Sequence, residues 1–228
     1  MSRPASDLIA LLDVLKRTLR VAPAPGEPMP MILWENIGYL VDDARRRRLF
    51  DAFDAAVGLT PEAIAAASDG VLLPLARDGG MRPEIRVERW RTIARIVLDR
   101  CDGDLEAALR SLPPPKARAL LKMFPMIGDP GADKVLLFAG IAVRPCLESN
   151  GVRALARLGF FGEQASYDRS YKAAVAVLEA TGRTDRAWLV DAHERLRALG
   201  KTTCKRGAPI CAACPLDATC AHAAAGSL

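Results

Sequence analysis

The stretch CKRGAPICAACPLDATC, residues 204–220, carries four of the chain's six cysteines, spaced C-x6-C-x2-C-x5-C. Four thiolates on one short loop can bind a tetrahedral zinc ion or take the four corners of a [4Fe–4S] cluster. A zinc ribbon pairs two C-x2-C knuckles, and only one stands here, between Cys211 and Cys214. The wider spacing of Cys204, Cys211, Cys214 and Cys220 suits the cluster better. The other two cysteines, Cys101 and Cys146, stand alone in apolar stretches, as core cysteines do.

Outward from this loop the chain reads as helices. Hydrophobic residues make up 50% of the 228 residues, charged residues 26% and aromatics 5%, with a formal net charge of +5. Such a balance fits a globular protein and permits, without requiring, nucleic-acid binding. No apolar run reaches the roughly 18–20 residues of a membrane span, and Met1–Asp7 lacks the pattern of a signal peptide. A cytoplasmic, membrane-free protein with reduced thiols is expected. Helical spacing is expected over 7–20, where Leu8, Leu11, Leu12, Leu15 and Leu19 share a face, and over 31–41, 43–57, 61–67, 87–101, 104–111 and 116–123. Further helices are expected over about 130–140, 151–158, 167–181 and 185–199. Thr60-Pro61 reads as an N-cap followed by a first-turn proline, residues 22–30 as a proline-rich connector and 113–115 as a stiff break. No segment sustains strand alternation, so the fold class is all-α.

The cysteine spacing, set just after the helical stretch DRAWLVDAHERLRALGKTTC (185–204), resembles the cluster loop of the endonuclease III family within the helix-hairpin-helix DNA glycosylases. Taken loosely, the resemblance runs from Pro28 to Cys220. It implies a structural [4Fe–4S] cofactor, and Lys205 and Arg206 presented to DNA phosphates.

Residues 120–136, LLKMFPMIGDPGADKVL, resemble the family's hairpin, whose usual turn is L-P-G-x-G. Pro125 and Gly128 are kept, and Met126 replaces the first glycine. Asp129 can cap the second helix, with Pro130 at its first position. The resemblance implies that turn amides and a helix N-terminus, over Pro125, Met126, Gly128 and Gly131, hold a phosphate oxygen without reading sequence.

Two catalytic positions mark the family. The lysine of its bifunctional members falls on Pro130, which has no amine; Lys134, one turn on, is the possible substitute. The family's aspartate falls on Glu148 in RPCLESNGVRALARLG (144–159), where Pro145, Arg153, Arg157, Leu158 and Gly159 match. A carboxylate there can stabilise the positive charge that builds on the sugar and orient a water. It could equally serve only as a favourable helix N-terminal acid. Near the N-terminus, MILWENIGYL (31–40) resembles the helix whose polar residue fills the gap of a flipped base. Asn36 takes that position, with Glu35 and Tyr39 beside it as pocket residues. Arg45 to Arg48 read as a solvated helix face.

The resemblance implies a two-lobed fold. Residues 28–136 form a helical barrel ending in the hairpin, and residues 1–27 with 137–228 form the cluster domain. Double-stranded DNA with a damaged or mispaired base is expected to bind a monomer in the groove between them. The expected activity is monofunctional N-glycosidic hydrolysis; a bifunctional glycosylase and abasic-site lyase, or a non-catalytic DNA-binding protein, are the alternatives.

Overall fold

The computed structural model describes residues 2–162 and 164–226. Among them every regular element is a helix and no strand occurs, so the fold is all-α. The chain divides into two compact units, Ala24–Ala142, and Met1–Pro23 together with Val143–Leu228. The first helix, α1 (Ser6–Thr18), belongs to the discontinuous unit.

The continuous unit holds α2 (Pro28–Asn36), α3 (Asp43–Ala56), α4 (Pro61–Ala66), α5 (Asp69–Asp78), α6 (Pro83–Cys101), α7 (Leu105–Ser111), α8 (Pro114–Leu121) and α9 (Asp129–Phe138). Short polar residues start several of them. Asp42 accepts from Arg45 N at 2.7 Å, Thr60 from Ala63 N at 3.3 Å and Asp104 from Ala107 N at 2.9 Å. Each such cap is worth about 1 kcal/mol. The core centres on Trp90, whose ring meets Phe53 edge-on at 4.8 Å, with Met31, Ile32 and Leu33 fully buried on α2. Full burial of a side chain of this kind stabilises by roughly 1.5–3 kcal/mol. Trp34 is also core; Arg46 and Arg47 stack over its ring while Arg45 and Arg48 stay exposed.

Three elements depart from the sequence expectation. The helix expected over 31–41 begins at Pro28 and stops at Asn36, and Leu40 turns left-handed at φ 56°. Tyr39 therefore sits on a loop. The helix α5 was not foreseen, because Gly70 and Pro74 disguise it; Leu72 and Ala76 still anchor it against α6. Asp129 does not cap α9. Gly128 is the capping residue, and the Asp129 carboxylate turns instead to Lys122 at 2.6 Å and Arg118 at 3.2 Å.

The discontinuous unit packs α1 with α10 (Ser149–Arg157), α11 (Tyr167–Ala180), α12 (Arg186–Thr202) and the short α13 (Ala221–Gly226). Leu8, Leu11, Leu12 and Leu15 of α1 share one core with Leu155, Leu178, Leu196 and Leu199. Arg195 of α12 ties down the end of α1 by donating to the carbonyls of Leu15 at 3.3 Å and Leu19 at 2.7 Å. The helices α10 and α12 meet at Gly200, where any side chain would collide with the Asn150 carbonyl oxygen. That close approach lets Arg153 of α10 reach the Gly200 carbonyl at 2.6 Å and the Cys204 carbonyl at 3.2 Å.

Candidate functional site

In the continuous unit the hairpin is built from charge and one buried amide. Arg118 of α8 grips Asp133 of α9 through two hydrogen bonds of 2.7 and 3.2 Å, and Lys122 closes on Asp129. Between the helices, Met126 takes φ 62°, a left-handed conformation a glycine adopts freely, and leaves its side chain 55% exposed. Gly128 has φ −91° and nothing within 3.9 Å of where a Cβ would stand, so neither backbone nor packing demands a glycine there. The opening amides of α9 follow, free of any Asp129 cap.

The structure brings Glu35, Asn36, Pro125 and Lys134 together. Asn36 is only 4% exposed; its Nδ2 donates to the Ile32 carbonyl at 3.0 Å and to the Pro125 carbonyl at 2.9 Å. Here the Asn36 side chain braces the hairpin turn against α2. Lys134 is 5% exposed, and its Nζ lies 2.8 Å from Glu35 Oε1 and 5.4 Å from the Phe138 ring centre. The ammonium is thus engaged by a carboxylate and an aromatic face, which argues against its standing in for an amine at Pro130. Pro130 itself lies in the first turn of α9.

Sequence reasoning overlooked a pair of exposed apolar side chains. Leu40 is 78% exposed and Met81 64%. Their loops run side by side, with Tyr39 N donating to the Gly79 carbonyl at 2.9 Å. Buried Arg86 fixes the second loop from below through the carbonyls of Ala76 and Met81. Tyr39 is itself half-exposed beside Leu40. The signal was faint: a leucine and a methionine just beyond glycines, at places where a helix was expected to continue or had not begun.

In the discontinuous unit Glu148 caps α10. Its Oε1 accepts from the amides of Asn150 at 2.9 Å and Gly151 at 3.1 Å, and its Oε2 accepts from Asn150 Nδ2 at 2.8 Å. The carboxylate is half-buried and remains within electrostatic reach of Tyr167. Burial first, and the Glu148 charge second, push the Tyr167 phenol up to about 12.

Cys204, Cys211, Cys214 and Cys220 line one small cavity beside Pro209 and Ile210. Two single-turn 3₁₀ helices, Cys211–Ala213 and Asp217–Thr219, fold the loop around it. Among the described residues no three His, Cys, Asp or Glu side chains converge as a single-ion site. Burial raises the Cys214 thiol above its ordinary pKa, with Cys220 and Cys204 adding to the rise. Arg157 braces the loop, donating to the carbonyls of Lys205 at 2.7 Å and Arg206 at 3.0 Å and lying 3.6 Å from Cys204 Sγ. The Lys205 and Arg206 side chains are left exposed.

No protein-family model matches the chain, and no curated protein matches it in sequence. Solved structures do. An endonuclease III trapped as a covalent intermediate with DNA superposes with a TM-score of 0.75 at 17% identity, over 99% of this chain and 100% of that one. A thermostable thymine-DNA glycosylase gives 0.74 at 15% identity, over 96% and 95%. The 3-methyladenine DNA glycosylase of Archaeoglobus fulgidus gives 0.55 at 22% identity, over 88% and 71%. At these identities the likeness is one of fold: the chain has the endonuclease III-like helix-hairpin-helix architecture.

Proposed function

We propose that the chain is a monofunctional DNA glycosylase of base excision repair, hydrolysing the bond between the sugar and a damaged or mispaired base flipped out of double-stranded DNA. The observation that carries this reading is the start of α9, where a fold shared with glycosylases presents Pro130 and no amine. The neighbouring ammonium of Lys134 is held by Glu35. Without an amine no Schiff base forms on the sugar, and water is the remaining nucleophile.

Each step has a residue suited to it. The amides of the hairpin and of the α9 N-terminus, around Pro125, Met126, Gly128 and Gly131, hold a backbone phosphate, with Lys205 and Arg206 adding charge contacts. Leu40 and Met81 are apolar, exposed and carried on fixed loops, which suits them to the stack a flipped base vacates. Glu35, steadied by Lys134, and Tyr39 line the pocket for the extruded base. Glu148 steadies the sugar as positive charge develops and orients the attacking water.

The four-cysteine cavity fits a [4Fe–4S] group. It offers four sulfurs on one short loop, with Pro209 and Ile210 beside them and Arg153 and Arg157 bonded to the loop next to an anionic cluster. Cys204, Cys211, Cys214 and Cys220 would hold it, and it would fix the fold of the loop that bears Lys205 and Arg206. Among the described residues no helix is long and apolar enough to cross a membrane. A cytoplasmic monomer with reduced thiols completes the reading.

The test is single-turnover reaction with duplexes carrying uracil, oxidised pyrimidines, alkylated purines or mispaired adenine, with borohydride present. Release of a base, an unbroken strand and no trapped adduct support the proposal, as does loss of release in Glu148→Gln. Efficient trapping abolished by Lys134→Ala would make the enzyme bifunctional. One observation favours a binder without chemistry: both Glu148 oxygens are already engaged, Oε1 by the helix amides and Oε2 by the Asn150 side chain. Tight lesion binding with no release of any base would establish that reading instead.

A further inference from the structure

One cavity lies wholly within the discontinuous unit, and none of the residues assigned a catalytic role lines it. It encloses about 760 Å3, a volume that small-molecule sites commonly have. Its floor is one face of α10, on which Ser149, Val152, Arg153, Ala156 and Arg157 recur at helical spacing. Tyr167 and Ser170 in the first turn of α11 also line it, as does Phe161. Arg206 of the cysteine loop and His222 of α13 complete the rim.

Three guanidinium groups and an imidazole therefore line one pocket, and among its described lining residues none is acidic. Arg153 and Arg157 are held in place by the carbonyls of Gly200, Cys204, Lys205 and Arg206 and by the Asn150 amide oxygen. These acceptors are neutral. They orient the guanidinium groups; Cys204 Sγ, 3.6 Å from Arg157, and Glu148 offset part of the charge, and the described lining of the pocket stays basic. Glu148, which precedes Ser149 in the chain, has both oxygens turned into the start of α10. Guanidinium groups fixed in orientation match phosphate oxygens in geometry as well as charge. Tyr167 and Phe161 add flat apolar surface of the kind on which a nucleobase stacks.

We propose that this pocket is a nucleotide-phosphate site, in which Arg153, Arg157 and Arg206 receive the phosphate and the aromatic wall receives the base. The same chemistry serves a free nucleotide or one nucleotide of a DNA strand lying along the cysteine loop. The inference does not depend on base excision, and a catalytically inert chain would keep the site.

The experiment uses the full chain, its Ala156→Glu and Ser170→Glu variants, and the neutral Ala156→Gln and Ser170→Gln variants of similar bulk. All five are titrated calorimetrically with inorganic phosphate and dAMP, and by fluorescence anisotropy with undamaged single-stranded and duplex oligonucleotides. A carboxylate set among the arginines should weaken binding about tenfold or more, the scale of one close charge-assisted contact, while the amides should retain it. If dAMP binds and follows this pattern, the site takes free nucleotides. If dAMP does not bind but an oligonucleotide follows the pattern, the phosphate belongs to the DNA strand. If neither dAMP nor DNA distinguishes glutamate from glutamine, the pocket is not a phosphate site and the proposal falls. Base release, assayed separately at saturating DNA, reports on the enzymatic reading alone.

Discussion

The side-chain amide of Asn36 donates to the main-chain carbonyl of Pro125 at 2.9 Å, fastening the hairpin turn to the end of α2 across 89 residues of sequence. Because the amide is buried, the Pro125 carbonyl has a partner that water cannot easily replace. Asn36→Ala is expected to destabilise the protein by about 1–3 kcal/mol, the penalty of stranding a buried polar group. Urea unfolding measures it. A change within error would show that the turn is held by its own backbone.

Met126 is the position where the hairpin stores strain. An L side chain in the left-handed region costs about 1–2 kcal/mol, and this one is exposed and gains little from packing. Met126→Gly should raise stability, by somewhat less than that figure because glycine also loses more chain entropy on folding. A lower unfolding midpoint would mean that the methionine packs usefully after all.

At Gly128 folding and binding should move in opposite directions. Aspartate is a preferred helix cap, and its charge suits the N-terminus of α9, so Gly128→Asp is expected to stabilise by about 0.5–1 kcal/mol. The same carboxylate would face the phosphate assigned to this turn and weaken binding of any duplex by a similar factor, lesion or not. Stability is read by thermal melting and affinity by anisotropy at fixed salt. Unchanged affinity would remove the hairpin from the DNA contact.

Metal content tests the cysteine loop. Protein purified without oxygen should be brown, with about four irons and four sulfides per chain. Cys211→Ser or Cys214→Ser should lose the iron and loosen the discontinuous unit, since ligand binding there is coupled to folding. Substitution of Cys101 or Cys146, both buried far along the chain from the loop, should leave the iron in place. Stoichiometric zinc in protein made with ample iron would overturn the assignment.

Tyr167 supplies a pH test. Its folded pKa, about 12, lies above the usual value of 10, so the unfolded chain releases this proton first. The neutral phenol therefore contributes stability that is fully present below pH 10 and is lost as pH rises toward 12. Tyr167→Phe should show a shallower alkaline loss of stability over that window than the parent protein. Parallel curves would mean the phenol titrates freely.

What the sequence disclosed was local chemistry. Thr60-Pro61 announced α4 because a cap and a first-turn proline act within four residues, and the spacing of Cys204 to Cys220 is a property of one loop. What it concealed was tertiary. Nothing local says that the Asn36 amide is buried under Pro125, or that Lys134 meets Glu35 from 99 residues away. Asp129 is a good cap by type, yet Lys122 and Arg118 outbid the helix amides for its carboxylate. Leu40 and Met81 were missed because their exposure follows from two loops lying side by side, and no periodicity records that.

The leucine face of α1 leaves the ribosome before anything exists for it to pack against. Its partners on α10, α11 and α12 are made after the whole continuous unit, and the two carbonyls at its end await Arg195. At about 5–20 residues per second, the interval is on the order of ten seconds or longer, during which the continuous unit can already fold. An apolar segment left waiting that long is exposed to chaperones and to other nascent chains. The order of synthesis therefore leaves α1 without its core partners while the continuous unit is made, and a version of the chain permuted to carry α1 after residue 226 should aggregate less as it is made.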